Sequence, residues 1–165
     1  MALLNFHKFH ILSRIDYCNS LLAGITKQNL SMLQKIQNRA ARLCLNVSRK
    51  SKIPSLMLLY KLHWLPVAFR IDFQILLLTY KCLNGMAPSY LSELLSFRSV
   101  GRTLRSSSQS LLSVPKSRTK SFGERAFSTI APRLWNGLPL SLRSAESIGS
   151  FKKDLKTLLF RKAFL

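Results

Sequence analysis

Apolar residues recur at three- and four-residue steps along most of the chain, which is the spacing of amphipathic helices. In the first part of the chain this pattern predicts helices over residues 9–23, 28–47, 54–62 and 67–83, and a short helix over 88–95. Gly24 and the Asn84-Gly85 pair are expected helix stops. The helix over 67–83 is apolar nearly all round, which is typical of a central buried helix.

The pattern changes at residue 97. Residues 97–121 contain eight serines, six bases and no acid, which indicates a basic Ser/Arg-rich loop or linker with a short strand at 111–114. Beyond it, residues 122–130 and 132–135 are predicted to be helical. A last helix is expected from the N-cap Ser147 to Lys162. Its core-facing residues are expected to be Ile148, Phe151, Leu155 and Leu158.

The helix predicted over residues 28–47 has two distinct faces. The residues expected to face the core are Leu33, Ile36, Ala40, Leu43 and Val47. Lys35, Arg39 and Arg42 follow the same spacing on a neighbouring face, where no acid is available to pair with them. We therefore expect a mainly α fold, a helical bundle with one unpaired basic face.

Charge indicates what such a bundle binds. Lys and Arg number 26 against six acids, a formal charge of +20 on 165 residues that are 47% hydrophobic. Nine bases and no acid lie between Asp16 and Asp72, and six bases and no acid lie between Glu93 and Glu124. Such stretches are typical of proteins that bind a polyanion. Nucleic acid is the first expectation, and an anionic membrane surface or an acidic protein is the alternative.

The predicted nucleic-acid-binding residues come from the basic helix face, the loop around 48–52 and the 97–121 segment. They are Lys35, Arg39, Arg42, Arg49, Lys50, Lys52, Arg102, Arg105, Lys116, Arg118 and Lys120. Trp64, Pro66 and Trp135 are predicted to be structural, because they lie at turns and helix boundaries in apolar surroundings.

The acids are too scattered for metal-dependent catalysis. They stand singly, never closer than eight residues in sequence, whereas a polymerase or nuclease centre needs neighbouring carboxylates to hold two cations. His7 and His10 lie three residues apart without Cys or acidic partners. His63, beside Trp64, is assigned a packing or capping role, with stacking on a base as the alternative. We predict a binding protein that is not an enzyme and uses no cofactor or metal.

The cysteines and the chain start bear on localisation. Cys18, Cys44 and Cys82 are odd in number and lie in apolar, helix-like surroundings, which predicts buried core thiols. No uncharged apolar stretch is long enough to span a membrane, and the first ten residues make a poor secretory signal. An intracellular location, in the cytoplasm or nucleus, is expected.

Four strings of residues, in this order, resemble one known family. They are residues 14–22 (RIDYCNSLL), 33–42 (LQKIQNRAAR), 62–67 (LHWLPV) and 131–139 (APRLWNGLP). Together they resemble the C-terminal region of the reverse transcriptases of non-LTR, LINE-type (jockey-like) retrotransposons. The resemblance covers about residues 12–165, and the first eleven residues depart from the family pattern.

The resemblance implies that this segment supplies the helical thumb and the tail behind it. It implies a thumb-like bundle over residues 5–96, the linker over 97–121 and a helical C-terminal region over 122–165. The implied partners are RNA or an RNA/DNA hybrid and the palm domain of the parent polymerase. The family's aromatic-x-Asp-Asp turn and its endonuclease have no counterpart, so the resemblance implies a truncated fragment of an RNA-directed DNA polymerase without catalysis of its own.

The resemblance also suggests an alternative function. The apolar helix over 67–83 would normally dock against the palm and would be exposed without it. The chain would then be an orphaned structural or interaction module that associates through this helix.

Overall fold

The computed structural model describes residues 12–48, 50–98, 110–117, 119 and 123–165. The chain is mainly helical, which confirms the fold class predicted from the sequence. The helices are α1 (12–16), α2 (Lys27–Cys44), α3 (Ser55–Lys61), α4 (Val67–Leu83), α5 (Ser89–Ser92), α6 (Phe127–Asn136), α7 (Leu140–Arg143) and α8 (Ile148–Phe164). Short 3-10 turns cover Asn19–Leu22 and Gly123–Arg125.

Helix boundaries follow the capping signals in the sequence. Pro66 precedes α4, and Gly85, with φ of +68°, follows it, so α4 has the predicted bounds. The Ser147 hydroxyl accepts a hydrogen bond from the amide of Ser150 and caps α8 as predicted. The helix α2 ends at Cys44, three residues earlier than predicted, because Asn46 adopts a left-handed conformation with φ of 52°.

The first predicted helix is shorter than expected. Helix α1 ends at Asp16, and Cys18 takes a left-handed conformation with φ of 50° before the 3-10 turn. This break buries Asn19, whose side-chain amide donates to the carboxylate of Asp16. The left-handed backbone of Cys18 interrupts a pattern that is helical by apolar spacing alone. Residues 9–11 of the prediction lie outside the described residues.

The predicted strand over 111–114 is not found among the described residues. Phe97 and Leu112 instead form an isolated antiparallel bridge. The side-chain amide of Asn136 pairs with both backbone groups of Leu112 at 2.8 Å, which occupies the edge that a second strand would use.

Contacts divide the chain into two compact units. The first comprises the described residues up to Ile71 together with Leu158–Leu165, and the second comprises those of Asp72–Thr157. Each unit contains part of α4 and part of α8, so the grouping does not follow chain order. The division into three consecutive parts at residues 96 and 121 stays a prediction.

The core of the first unit lies where α2 packs on α3. Its buried residues are Ala40, Ala41, Cys44, Leu58, Leu59 and Trp64. The two alanines present almost no side-chain bulk, so α3 approaches the backbone of α2 closely. Trp64, predicted to be structural, is 3% exposed in this core.

Buried amides tie α2 to the chain that leads into α4. Gln37, which is fully buried, donates to the carbonyl oxygen of Leu65 at 2.8 Å. Gln34 donates to the side chain of Gln37 and accepts from the backbone amide of Val67, one of the otherwise unsatisfied N–H groups at the start of α4. Arg70 forms a bidentate pair with Asp16, with 2.7 Å between Nε and Oδ1.

Aromatic packing holds the second unit. Tyr80 stacks on Phe151 with 4.4 Å between the ring centroids, and its hydroxyl donates to the carbonyl oxygen of Ala145. Trp135 lies beside Phe151, and its indole donates to the carbonyl oxygen of Ser110 at 3.0 Å. Of the expected core residues of α8, Phe151 and Leu155 are fully buried.

Helix α4 is buried or half-buried at every position from Val67 to Leu83, which agrees with its prediction as a central helix. The interaction-module alternative assumed that this helix is exposed, and that assumption is wrong. Among the helices of the described residues, none combines the length and the apolar character needed to cross a bilayer.

All three cysteines are described, and none forms a disulfide. Cys44 and Cys82 are buried, as predicted, but Cys18 is exposed because its left-handed backbone turns it out of the helix. Burial raises the pKa of the Cys82 thiol, against a smaller opposite effect of its hydrogen bond with Ser92. A thiol with a raised pKa remains protonated and unreactive near neutral pH.

Replacing Gln37 by Ala tests the amide tie. The change should lower the free energy of unfolding by about 1–3 kcal/mol, because the Leu65 carbonyl is left buried without a donor. Gln28→Ala is the matched control, since Gln28 is exposed on the same helix and should change stability by less than about 0.5 kcal/mol. Urea denaturation of both variants measures the difference, and equal stabilities would contradict the role given to Gln37.

Thiol reactivity tests the cysteine environments. With an aromatic disulfide reagent at pH 7.5, one thiol should react rapidly, and the Cys18→Ser variant should lose this fast phase. Cys44 and Cys82 should react only after denaturant is added, because both are buried. A fast phase that persists in Cys18→Ser would contradict this assignment.

Candidate nucleic-acid interface

The buried face of α2 differs from the face predicted by apolar spacing. Ala40 is buried as predicted, but Ile36 and Leu43 are 48% and 69% exposed. The helix instead buries Gln37, Ala41 and Cys44 beside Ala40. The hydrogen bond of Gln37 to Leu65 fixes this rotation, which periodicity could not reveal. The prediction that Ile36 and Leu43 face the core is therefore wrong.

This rotation turns two of the three predicted helix cations to solvent. Lys35 and Arg39 are both exposed and lie on the side of α2 opposite the buried face. They are four residues apart and so are neighbours on the helix surface, about 6 Å apart along its axis. Neither forms an ion pair with any of the six acids, all of which are among the described residues. These two side chains are available to an anionic ligand.

Arg42 has a different role from the one predicted. Its guanidinium donates to the carbonyl oxygens of Ser48 at 3.1 Å, Ser51 at 3.4 Å and Ile53 at 2.9 Å. The planar fork of arginine suits several carbonyls at once, and here it holds the loop between α2 and α3. Arg42 therefore stabilises the basic loop, and the expectation that its side chain has no partner is wrong. Its role as a phosphate ligand stays a prediction.

The loop held by Arg42 carries Lys50 and Lys52, both exposed. The Ser48 hydroxyl accepts from the amide of Lys50 at 3.3 Å, and the Ser51 hydroxyl accepts from that of Ile53 at 3.4 Å. These bonds and the Arg42 contacts fix the backbone from which the lysines project.

The remaining predicted residues are distributed differently. Lys116 is exposed and belongs to the second unit. Arg49, Arg102, Arg105, Arg118 and Lys120 lie outside the described residues, as do His7 and His10.

An open groove of about 480 Å³ runs along α2 beside the first turn of α4. The residues that line it are Lys27, Leu30, Ser31, Gln34, Lys35, Asn38 and Ala68. The lining contains two lysines, a hydroxyl and two amides, and it contains no carboxylate. The sequence prediction included Lys35 but missed Lys27, Ser31 and Asn38. Their spacing of four, four and three residues places all four on one side of the helix, so helical periodicity could have found them.

The amides of this groove have different tasks. Gln34 is fully engaged, because its amide donates to Gln37 and Asn38 and its oxygen accepts from Val67. Asn38 accepts from Gln34, and its own amide donates to no described residue. The groove thus offers the ammonium groups of Lys27 and Lys35, the Ser31 hydroxyl and the Asn38 amide. All four can donate to phosphate oxygens.

The described residues include all six acids, and they contain no group of three or more His, Cys, Asp or Glu side chains that could hold a metal ion. Asp16 is paired with Arg70, which removes Arg70 from the cationic surface. His63 packs against Phe160 with 5.6 Å between ring centroids, in line with the packing role assigned to it.

Comparison with known proteins does not identify a relative: no protein-family model, no curated protein and no solved structure matches this chain.

Replacing Arg42 and replacing Arg39, three residues apart on α2, should have unequal effects on stability. Arg42→Gln should lower the free energy of unfolding by about 1–2 kcal/mol, because three loop carbonyls lose a charged donor. Arg39→Gln should change it by less than about 0.5 kcal/mol, since Arg39 is exposed and unpaired. Thermal or urea denaturation makes the comparison. A loss that is equal in the two variants would show that Arg42 does not clamp the loop.

Proposed function

We propose that this chain is a helical fragment of a non-LTR retrotransposon reverse transcriptase that binds the backbone of RNA or an RNA/DNA hybrid and does not polymerise alone. The observation that carries the binding function is the acid-free groove of α2, with Lys27, Lys35, Ser31 and Asn38 as donors and Arg39 beside it. This surface joins positive charge to hydrogen-bond donors without a competing carboxylate, as phosphate binding requires.

Hydrogen bonds made by the recognised strings support the family part of the proposal. Gln34 and Gln37 of the second string bond to Val67 and Leu65 of the third. Asp16 of the first string pairs with Arg70, three residues beyond the third. These recognisable side chains therefore hold the fold together, which is what a resemblance based on a shared scaffold would require.

The fourth string, residues 131–139, has a comparable role in the second unit. Trp135 bonds to the carbonyl oxygen of Ser110, and Asn136 bonds to both backbone groups of Leu112. Both residues face inward to the protein. The string therefore carries architecture, and the binding function rests on the less distinctive cations around it.

The mode of binding follows from the charge. Each Lys or Arg that reaches a phosphate releases condensed counterions, and this gives affinity that is strong, sequence-independent and sensitive to salt. The proposal includes no catalysis, because the six acids are separated in sequence and the aromatic-x-Asp-Asp turn of the family is missing.

A second candidate function has one observation in its favour. Met32, Ile36 and Leu43 form an apolar stripe along the exposed side of α2, 58%, 48% and 69% exposed. Such a stripe suits contact with another protein surface, such as the palm domain of the parent polymerase. The interaction-module alternative therefore fits α2 better than the buried helix α4.

The groove is tested by the triple variant Lys27→Gln, Lys35→Gln and Arg39→Gln. Titration of a labelled 16-base-pair RNA/DNA hybrid at several salt concentrations gives the slope of log affinity against log salt. The slope should fall by about 0.9 for each of the three cations that contacts a phosphate. Two hybrids of unrelated sequence should weaken equally, because phosphate contacts carry no base information.

A matched control separates a local site from net charge. Lys152, Lys153 and Lys156 are also exposed, on α8, and their joint replacement by Gln removes the same number of charges. This control should retain most of the slope. Equal slopes in the two triple variants would contradict the groove, and wild-type binding that is independent of salt would favour the apolar stripe of α2.

A further inference from the structure

Four aromatic rings meet on the first unit, and none of them lines the α2 groove. Tyr60 and His63, at the end of α3, pack against Phe160 with centroid distances of 5.5 and 5.6 Å. Phe164 completes the cluster, 4.5 Å from Phe160 and 5.6 Å from Tyr60. We call these four residues the aromatic platform.

One side of the platform is anchored and the other faces solvent. Phe160 and Phe164 are half-buried, and Phe164 packs against the core cluster of α2 and α3. Tyr60 is 48% exposed, and His63 is exposed as well. The core therefore holds the inner rings in place, while the outer two present aromatic surface to water.

The backbone also holds His63 in an uncommon conformation. Its φ is 53°, in the left-handed region that non-glycine residues seldom adopt. Backbone hydrogen bonds from His63 to Tyr60 and from Trp64 to Leu59 fix this turn. The imidazole packs against Phe160, the ring that Tyr60 also contacts.

Unpaired cations flank the platform. Lys61 follows Tyr60, and Arg161 and Lys162 lie between Phe160 and Phe164 in sequence; all three are exposed. None forms an ion pair with any of the six acids. Arg161 is three residues from Phe164, so the two side chains are neighbours on the surface of α8.

We propose that Tyr60 and His63 form a stacking site for a nucleobase of single-stranded RNA or DNA, with Lys61, Arg161 and Lys162 taking the adjacent phosphates. Exposed aromatic rings with cations around them are the general means of binding single strands without sequence preference. Bases in a duplex are already stacked on each other, so the platform selects unpaired nucleotides. This goes beyond the proposed function, in which the groove of α2 contacts backbone alone.

A second copy of the chain is a poorer occupant for this surface. Two platforms face to face would bring together six exposed cations on proteins that each carry a formal charge of +20. A polyanion relieves this repulsion, whereas a second copy adds to it.

The test compares two ligands of equal charge: a labelled twelve-nucleotide oligouridine and an abasic phosphodiester oligomer of the same length. Wild-type protein should bind the oligouridine more tightly. Tyr60→Leu, which keeps an apolar side chain without the ring, should weaken oligouridine binding by about tenfold and leave the abasic oligomer unchanged. Tyr60→Phe should retain wild-type binding of both.

Tyr90→Leu is the matched control, because Tyr90 is 67% exposed on a short helix and is not part of the platform. It should leave both affinities unchanged. Circular dichroism and thermal unfolding establish whether Tyr60→Leu is folded, and the difference between the two oligomers on wild-type protein tests the platform if the leucine variant is destabilised.

The outcomes separate this inference from the proposed function. Equal wild-type affinity for the two oligomers, or an equal loss of both in Tyr60→Leu, would overturn the platform and leave backbone binding in place. Binding of neither oligomer would overturn the platform, and failure of the 16-base-pair hybrid to bind as well would overturn the proposed function. Self-association that depends on Tyr60, measured by light scattering, would overturn the platform in favour of a second copy.

Discussion

The rotation of α2 is the constraint on which the first unit depends, and the buried Gln37 sets it. Burying a side-chain amide is costly unless it is hydrogen-bonded, and the amide of Gln37 bonds to Leu65 and Gln34. With this amide buried, the inward face of α2 also contains Ala40 and Ala41, and Ile36 and Leu43 face solvent. The same rotation carries Lys35 and Arg39 outward, so one buried polar residue determines where positive charge appears on the surface.

Cap signals in the sequence predicted the bounds of α4 and the start of α8, whereas Gly24 did not mark the end of the first helix. Helix α4 has the predicted bounds because Pro66 fixes its own φ before the first turn, and because Gly85, which has no Cβ, adopts the left-handed conformation that ends a helix. The apolar spacing of residues 9–23 also predicted a helix, yet the helix ends at Asp16, before the left-handed residue Cys18. The rotation of α2 depends on a hydrogen bond from Gln37 to the carbonyl oxygen of Leu65, 28 residues away. Periodicity within one segment contains no information about such distant partners.

The sequence predicted that the candidate site is positively charged, but it predicted only some of the residues that form it. The excess of bases over acids follows from composition, and Lys35 and Arg39 are exposed as expected. Arg42 has the same spacing and the same charge, but its guanidinium is occupied by the carbonyls of the 48–53 loop. Which arginine binds a ligand and which one holds a loop depends on where that loop folds, and the helix pattern says nothing of it.

Net charge by itself cannot explain why the folded chain would bind a polyanion better than the unfolded chain, because both carry the same +20. A polyanion stabilises the folded state only by the difference between its affinities for the folded and unfolded chains. That difference must come from donors that folding brings into fixed positions. The groove supplies such donors at Lys27, Lys35 and Asn38, and the aromatic platform supplies oriented rings, which an unfolded chain lacks. Fixed geometry of this kind, more than the excess of bases, distinguishes a binding surface from general attraction to nucleic acid.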